Sequence, residues 1–314
     1  MTGRGRLAAA AALAAAAAGC GLGPGTASKG EVTLTVTRDY GSRRIASGRE
    51  EDPPSSETVL RLLDRNATIS TRYGGGFVQS INGLSGTTSG NRRLDWFFYV
   101  NGIESPVGAT QARVDGGDRI WWDYRDWTDA MRVPAVVGSW PQPFAAAASD
   151  GGGPVSVDCA GARASCATAR RRLEAAGVPA RSTDVVRPSP EPRLLVGPWR
   201  RLRGDPAAAQ LASTPATSGV FARFERAGGA VSLDLLDVRG RVARRRGPGT
   251  GLIAAVRDGD RPPTWVVTGT GPAGVGRAVG LLDADDLRHR YAVAATPAAA
   301  VPLPLIADAA GSSG

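Results

Sequence analysis

Trp96-Phe97-Phe98-Tyr99-Val100-Asn101-Gly102 is the stretch that decides the fold. Aromatic and β-branched side chains suit a pleated strand. The Asn-Gly that follows supplies the two positive φ angles of a tight hairpin. Trp96, Phe98 and Val100 alternate with Phe97 and Tyr99, so one set is expected on a core face and the other on the opposite face. The same pattern stands earlier, in Phe77-Val78-Gln79-Ser80-Ile81-Asn82-Gly83. Further on, Asp115-Gly116-Gly117-Asp118 reads as a turn and Arg119-Ile120-Trp121-Trp122-Asp123-Tyr124 as another strand.

Upstream, Val32-Thr33-Leu34-Thr35-Val36-Thr37 alternates strictly and gives one apolar strand face. Pro53-Pro54-Ser55-Ser56 leads into Glu57-Thr58-Val59-Leu60-Arg61-Leu62-Leu63. There Val59, Leu60, Leu62 and Leu63 cluster on one helical face, with serine expected as the cap. A strand pair, one helix and several strands is the β-grasp plan. The fold class is therefore α+β, with a β-grasp-like N-terminal domain over residues 31–144.

Residues 145–154, alanine-rich with Gly151-Gly152-Gly153, are expected to form a linker. In residues 155–296 short strands at 155–157, 194–196, 220–224, 231–236, 252–256, 264–268 and 291–294 are interspersed with helices at 166–176, 207–211 and 275–282. That order predicts a separate α/β domain whose role the sequence leaves open. Residues 297–314, rich in proline and alanine, are expected to be a disordered tail.

The N-terminus carries an export pattern. Arg4 and Arg6 precede the short alanine- and leucine-rich run of residues 7–18, which closes on Ala17-Ala18-Gly19-Cys20. It resembles a bacterial lipoprotein signal, in which the cysteine is lipidated and becomes the new N-terminus, although Ala17 stands where leucine is usual. Residues 1–20 are thus assigned as signal and residues 21–30 as a flexible tether. The implied location is extracytoplasmic, anchored to the cell membrane through Cys20; plain secretion is the alternative. The apolar run is too short to span a bilayer, which takes about 20 strongly apolar residues.

Of 38 basic residues all but Lys29 are arginine, so the net charge of +9 reflects composition more than a nucleic-acid partner. It does allow attraction to anionic envelope polymers or headgroups. With Cys20 lipidated, Cys159 and Cys166 remain as an even pair, and outside the cytoplasm a disulfide is the simplest reading. His289 is the only histidine and lies far from both. No metal site and no cofactor is expected.

The ordered trio of stretches at 77–83, 96–102 and 117–122 resembles the transcobalamin C-terminal-like family of bacterial domains. These are similar to the small β-domain of vitamin B12 carriers and to soluble-ligand-binding β-grasp modules. The resemblance covers residues 31–144. It implies a β-grasp fold and a small-molecule ligand such as a corrinoid, handled together with a transport partner because the carriers' helical barrel is absent here. Separately, Leu194-Leu195-Val196-Gly197-Pro198-Trp199 with Ala207, Ala208 and Leu211 looks like half of a sporulation-related repeat, which binds peptidoglycan.

Trp96, Tyr99, Trp121, Trp122, Tyr124 and Trp127 are the candidate ligand-binding residues. Their density exceeds what one core face needs, so some are expected at the surface, where rings flanked by Arg119 and Arg125 would stack on a planar ligand. Pure packing is the competing explanation. Gly269-Thr270-Gly271-Pro272-Ala273-Gly274 fits a dinucleotide-binding turn, but it comes late in the domain and no acidic strand end follows, so it reads as a structural connection. His289 sits between Arg288 and Arg290 and reads as a surface residue, and no catalytic motif is present. The functional expectation is a non-catalytic binding module on the cell envelope. A structural or adhesive lipoprotein contacting wall polymer is the alternative.

Overall fold

A computed structural model describes residues 26–186 and 189–306. The signal, Cys20, the first half of the tether and the end of the tail lie outside the described residues. The first half builds strands β1 (Glu31–Arg38), β2 (Arg43–Glu51), β3 (Ile69–Arg72), β4 (Phe77–Ile81), β5 (Leu84–Ser85), β6 (Thr87–Ser89), β7 (Arg92–Val100), β8 (Ile103–Glu104) and β9 (Arg119–Asp126). The main sheet has the order β2-β1-β9-β7-β6, with β8 also paired to β7, while β3-β4-β5 form a small separate sheet. Its central pair, β1 with β9, is parallel and the neighbouring pairs are antiparallel. The expected β-grasp arrangement is thus realised.

The two Asn-Gly turns behave as their chemistry requires. Asn82 and Gly83 have φ of 48° and 80°, and Asn101 and Gly102 have 55° and 78°. One helix, Val59–Asn66, crosses a face of the sheet. Its cap is Thr58 and not a serine: the helix begins at Val59, and the Thr58 hydroxyl accepts from the Arg61 amide at 3.3 Å. Val59, Leu62 and Leu63 bury against Val32, Leu34, Val36, Ile120, Trp122 and Tyr124.

The second half contains β10 (Val155–Cys159), β11 (Ala180–Thr183), β12 (Arg193–Val196), β13 (Ala222–Ala227), β14 (Ala230–Leu236), β15 (Val242–Arg246), β16 (Gly251–Val256), β17 (Thr264–Gly269), β18 (Ala292–Ala295) and β19 (Ala300–Leu303). Seven of them form one sheet in the order β11-β10-β12-β17-β16-β18-β19, and β13-β14-β15 form a meander. The first four strands of the large sheet run parallel and the last three antiparallel. Helices Arg163–Ala175 and Pro272–Gly280 cover one face. Cys159, ending β10, is bonded to Cys166 in the first of these helices, with Cα atoms 6.0 Å apart.

Two boundaries differ from the sequence expectation. The segment at 145–154 does not begin as a free spacer. Phe144–Ala147 is a helical turn, and Phe144 is fully buried with its ring 5.1 Å from that of Trp265. Residues 300–303, expected in a disordered tail, are strand β19, because their backbone pairs with β18 and Leu303 is buried. Pro302 is tolerated there because β19 is an edge strand.

The halves have distinct sheets yet share apolar packing. Tyr40, Tyr99 and Trp121 from the first half join Phe221, Leu235, Leu252 and Tyr291 from the second in one buried cluster. Asp123 and Arg125 lie within this junction, both fully buried. Asp123 accepts from Thr37 Oγ1 at 2.6 Å, the Gly41 amide at 3.0 Å and Tyr291 Oη at 2.9 Å. Arg125 lies 3.7 Å over the Phe97 ring and donates to the Ala130 and Met131 carbonyls at 2.7 and 2.9 Å. Burial is the main influence on Asp123 and raises its pKa to about 6 despite these donors.

Candidate functional site

Strand alternation sends Val32, Leu34 and Val36 to the helix side of the main sheet, which leaves Thr33, Thr35 and Thr37 on the other. Parallel pairing sets Arg119 beside Thr33 and Trp121 beside Thr35. Across from this hydroxyl-bearing strip stands the segment 284–290 of the second half. Between them is a cleft of about 530 Å³ lined by Glu31, Thr33, Thr35, Arg44, Ser47, Arg49, Arg119, Trp121, Ser139, Arg288 and His289 among others.

Glycines let two of its lining residues, Trp121 and His289, be closely approached. A Cβ on Gly41 would lie 2.0 Å from the His289 carbonyl oxygen and 2.9 Å from the Trp121 ring. One on Gly138 would lie 2.7 Å from the same ring and 2.8 Å from the Arg290 amide. The chain at 288–290 therefore rests directly on the indole, and the His289 amide donates to the Gly138 carbonyl at 3.2 Å.

Charge is one-sided here. Four guanidinium groups face the single carboxylate of Glu31, which pairs with Arg49 at 3.3 Å. Arg288 reaches Asp285 at 3.3 Å, an exposed pair of small energetic weight. Arg119 donates to the Trp140 carbonyl at 2.6 Å and has no carboxylate partner among the described residues. Burial, reinforced by repulsion from Arg288, lowers its pKa. His289 is lowered to about 4, first by burial and then by Arg288, Arg290, Arg44 and Arg119, so it is neutral at ordinary pH.

Other clefts are compensated or differently built. A larger one of about 640 Å³ is lined by Arg43, Arg92, Arg239 and Arg241 together with Asp39, Asp126 and Asp237. Its acids are held by arginines, as in Arg92–Asp126 at 2.9 Å and Arg241–Asp237 at 2.7 Å. Another, of about 460 Å³, has proline and alanine walls with Glu104, Asp150, Glu191 and Asp260 at its edge. Among the described residues no group of three or more His, Cys, Asp or Glu side chains could hold a metal ion. No described helix is long and apolar enough to cross a membrane.

The aromatic candidates are placed differently from the surface expectation. Trp96, Tyr99, Trp121, Trp122 and Tyr124 are all buried, because both faces of the sheet are covered, one by the helix and the other by the second half. Only Trp121 among them lines the arginine cleft. Trp127 is half-buried with Arg93 at 5.2 Å over its ring, apart from that cleft. Arg125, expected to flank a stacking surface, is interior. His289, read as a surface residue, lines the cleft, and its imidazole makes no hydrogen bond among the described residues.

The glycine-rich turn at 269–274 is a packing device. A Cβ on Gly274 would come within 2.2 Å of the Thr250 carbonyl, and one on Gly269 within 2.8 Å of the Val275 amide. The stretch 194–196 is an interior parallel strand, buried throughout.

Comparison with known proteins covers only part of the chain. The model of a domain of unknown function, DUF4430, matches residues 56–126. No curated protein matches. Four solved chains match, one a Ruminococcus gnavus structure described as "a putative metal binding protein". That match has 15% identity, covers 31% of this chain and 98% of the other, and has a TM-score of 0.25.

Proposed function

We propose that this chain is a non-catalytic binding module held outside the cytoplasm and tethered to a membrane through lipidated Cys20. Its ligand is an anionic small molecule, and the observation that carries this reading is the arginine cleft. Concave sites lined by a few convergent polar groups are where small molecules bind, and two of this one's guanidinium groups, Arg44 and Arg119, have no carboxylate partner among the described residues. The Cys159–Cys166 bond accords with an oxidising compartment. Among the described residues the lone histidine has neither a nucleophile nor an orienting carboxylate bonded to it, which favours binding over catalysis. The resemblance to the transcobalamin C-terminal-like family supports a small-molecule cargo shared with a transport partner and makes a corrinoid the first organic titrant.

Mass spectrometry of small molecules retained by the processed protein tests the reading, run beside a peptidoglycan pull-down. A retained anion that is lost in the Arg44→Ala/Arg288→Ala variant supports it. Capture by peptidoglycan with no retained small molecule turns it toward the adhesive alternative. Cys20→Ser should release the protein from the membrane fraction or leave it unprocessed; a processed, membrane-bound variant of unchanged mass removes the anchor.

A further inference from the structure

We propose that the arginine cleft is built for a dianionic oxyanion of the phosphoryl class, an inference that rests on the binding-module reading and names its ligand chemistry. The charge count comes first. Of the four lining arginines, Arg49 is matched by Glu31 and Arg288 by Asp285, so Arg44 and Arg119 have no carboxylate partner among the described residues. Two uncompensated guanidinium groups call for two negative charges, and guanidinium forks match the oxygen geometry of a phosphoryl group.

The hydroxyls come second. Ser139 is only 2% exposed and lines the cleft, yet its hydroxyl has no partner among the described residues. Thr33, Thr35 and Ser47 also line it without a side-chain hydrogen bond. The Ser139 oxygen is open to the cleft and not sealed from it, so an oxyanion with several acceptor oxygens would accept from it together with its neighbours. Position is the third consideration. The ligand would bridge the β1–β9 strip, which brings Arg119 and the threonines, and the 284–290 segment, which brings Arg288. It would therefore sit across the seam between the two halves, beside the Trp121 ring.

Titration of the full processed protein with inorganic phosphate and inorganic pyrophosphate at low ionic strength, followed by calorimetry and tryptophan fluorescence, tests this. The expected result is saturable binding that weakens with added salt, as phosphate contacts to exposed arginines must. Arg44→Ala and Arg288→Ala should each weaken it by about tenfold, the scale of one charged hydrogen bond. Ser139→Ala should weaken it several-fold without loss of stability, since that hydroxyl bonds nothing among the described residues. Arg226→Ala, the same change of charge on a distant exposed strand position, should leave binding unchanged. Equal binding by all variants, or no binding of either phosphate, overturns the phosphoryl assignment. Citrate bound by the wild type and lost in Arg44→Ala/Arg288→Ala, with both phosphates ignored, overturns the phosphoryl class but keeps the binding module. Failure of every titrant together with no retained small molecule overturns both.

Discussion

Replacing Gly41 by alanine tests how closely the chain packs on His289 and Trp121, two residues that line the cleft. Gly41 has φ of +79°, in the left-handed region, and its added Cβ would lie 2.0 Å from the His289 carbonyl oxygen and 2.9 Å from the Trp121 ring. The left-handed conformation costs an alanine about 1–2 kcal/mol. Overpacking against backbone and a buried indole adds about 1–3 kcal/mol, because neither neighbour is the free end of a flexible chain. The expected loss is therefore about 2–5 kcal/mol, a large share of the stability of a typical domain. Gly138→Ala has the clash without the dihedral penalty and should cost about 1–3 kcal/mol. Both push the 288–290 segment off the same indole, so the double variant should lose less than the sum. Urea unfolding followed by tryptophan fluorescence measures each. A Gly41→Ala loss under about 1 kcal/mol with unchanged denaturant slope, or strict additivity of the pair, refutes the reasoning.

Four further outcomes are expected. Arg193 is buried and bridges Asp158 at 3.0 Å and Asp205 at 2.7 Å, so Arg193→Ala strands two buried carboxylates and should cost about 3–5 kcal/mol by urea unfolding; a loss under 1 kcal/mol sinks this account. Reducing Cys159–Cys166 should cost about 2–3 kcal/mol and leave the sheet intact by circular dichroism; equal urea midpoints with and without reductant argue against it. Asp123 is raised to about 6, so its contribution of about 3 kcal/mol is present below about pH 4 and lost as pH rises through 6, while His289, lowered to about 4, contributes the opposite slope between about pH 4 and 6.5. Asp123→Asn should therefore make stability climb more steeply with pH across that window than in the wild type, and parallel profiles would falsify the assignment. Residues 31–144 expressed alone would bare Tyr40, Tyr99 and Trp121, so they should bind a hydrophobic dye and unfold without a sharp transition; a cooperative, dye-free fragment would show that the shared packing is dispensable.

Legibility followed the range over which the physics acts. The aromatic strands β7 and β9 and their Asn-Gly turn were readable because alternation and positive φ are local properties. Strand β2, with the sequence RRIASGREE, carries no apolar face, being an edge strand with half-exposed or exposed residues along its length, and nothing in its composition marks it. Strand β19 was hidden by its proline and its alanine-rich surroundings. The aromatic residues were expected partly at the surface because a sheet with one helix covers one face only; a second half covering the other face left them buried. The candidate cleft had no local signal at all. Its arginines come from β2, the start of β9 and the 284–290 segment, and Arg288-His289-Arg290 in isolation looks like any solvated charged stretch.

By itself the sequence determined the α+β class, the strand–helix order of the first half, the disulfide pairing, and the expectation of an export signal ending at Cys20. These depend on side-chain periodicity, on turn residues with restricted dihedrals and on the parity of cysteines, all of which act within short spans. Only the tertiary structure decided that Trp121 is a wall and not an exposed platform, that His289 lines a cleft, and that Arg44, Arg119 and Arg288 share it. Those facts depend on two sheets meeting across more than 150 residues of chain, where tight glycine contacts at 41 and 138 set the approach. Charge accumulates there because the fold gathers cations that the sequence keeps far apart.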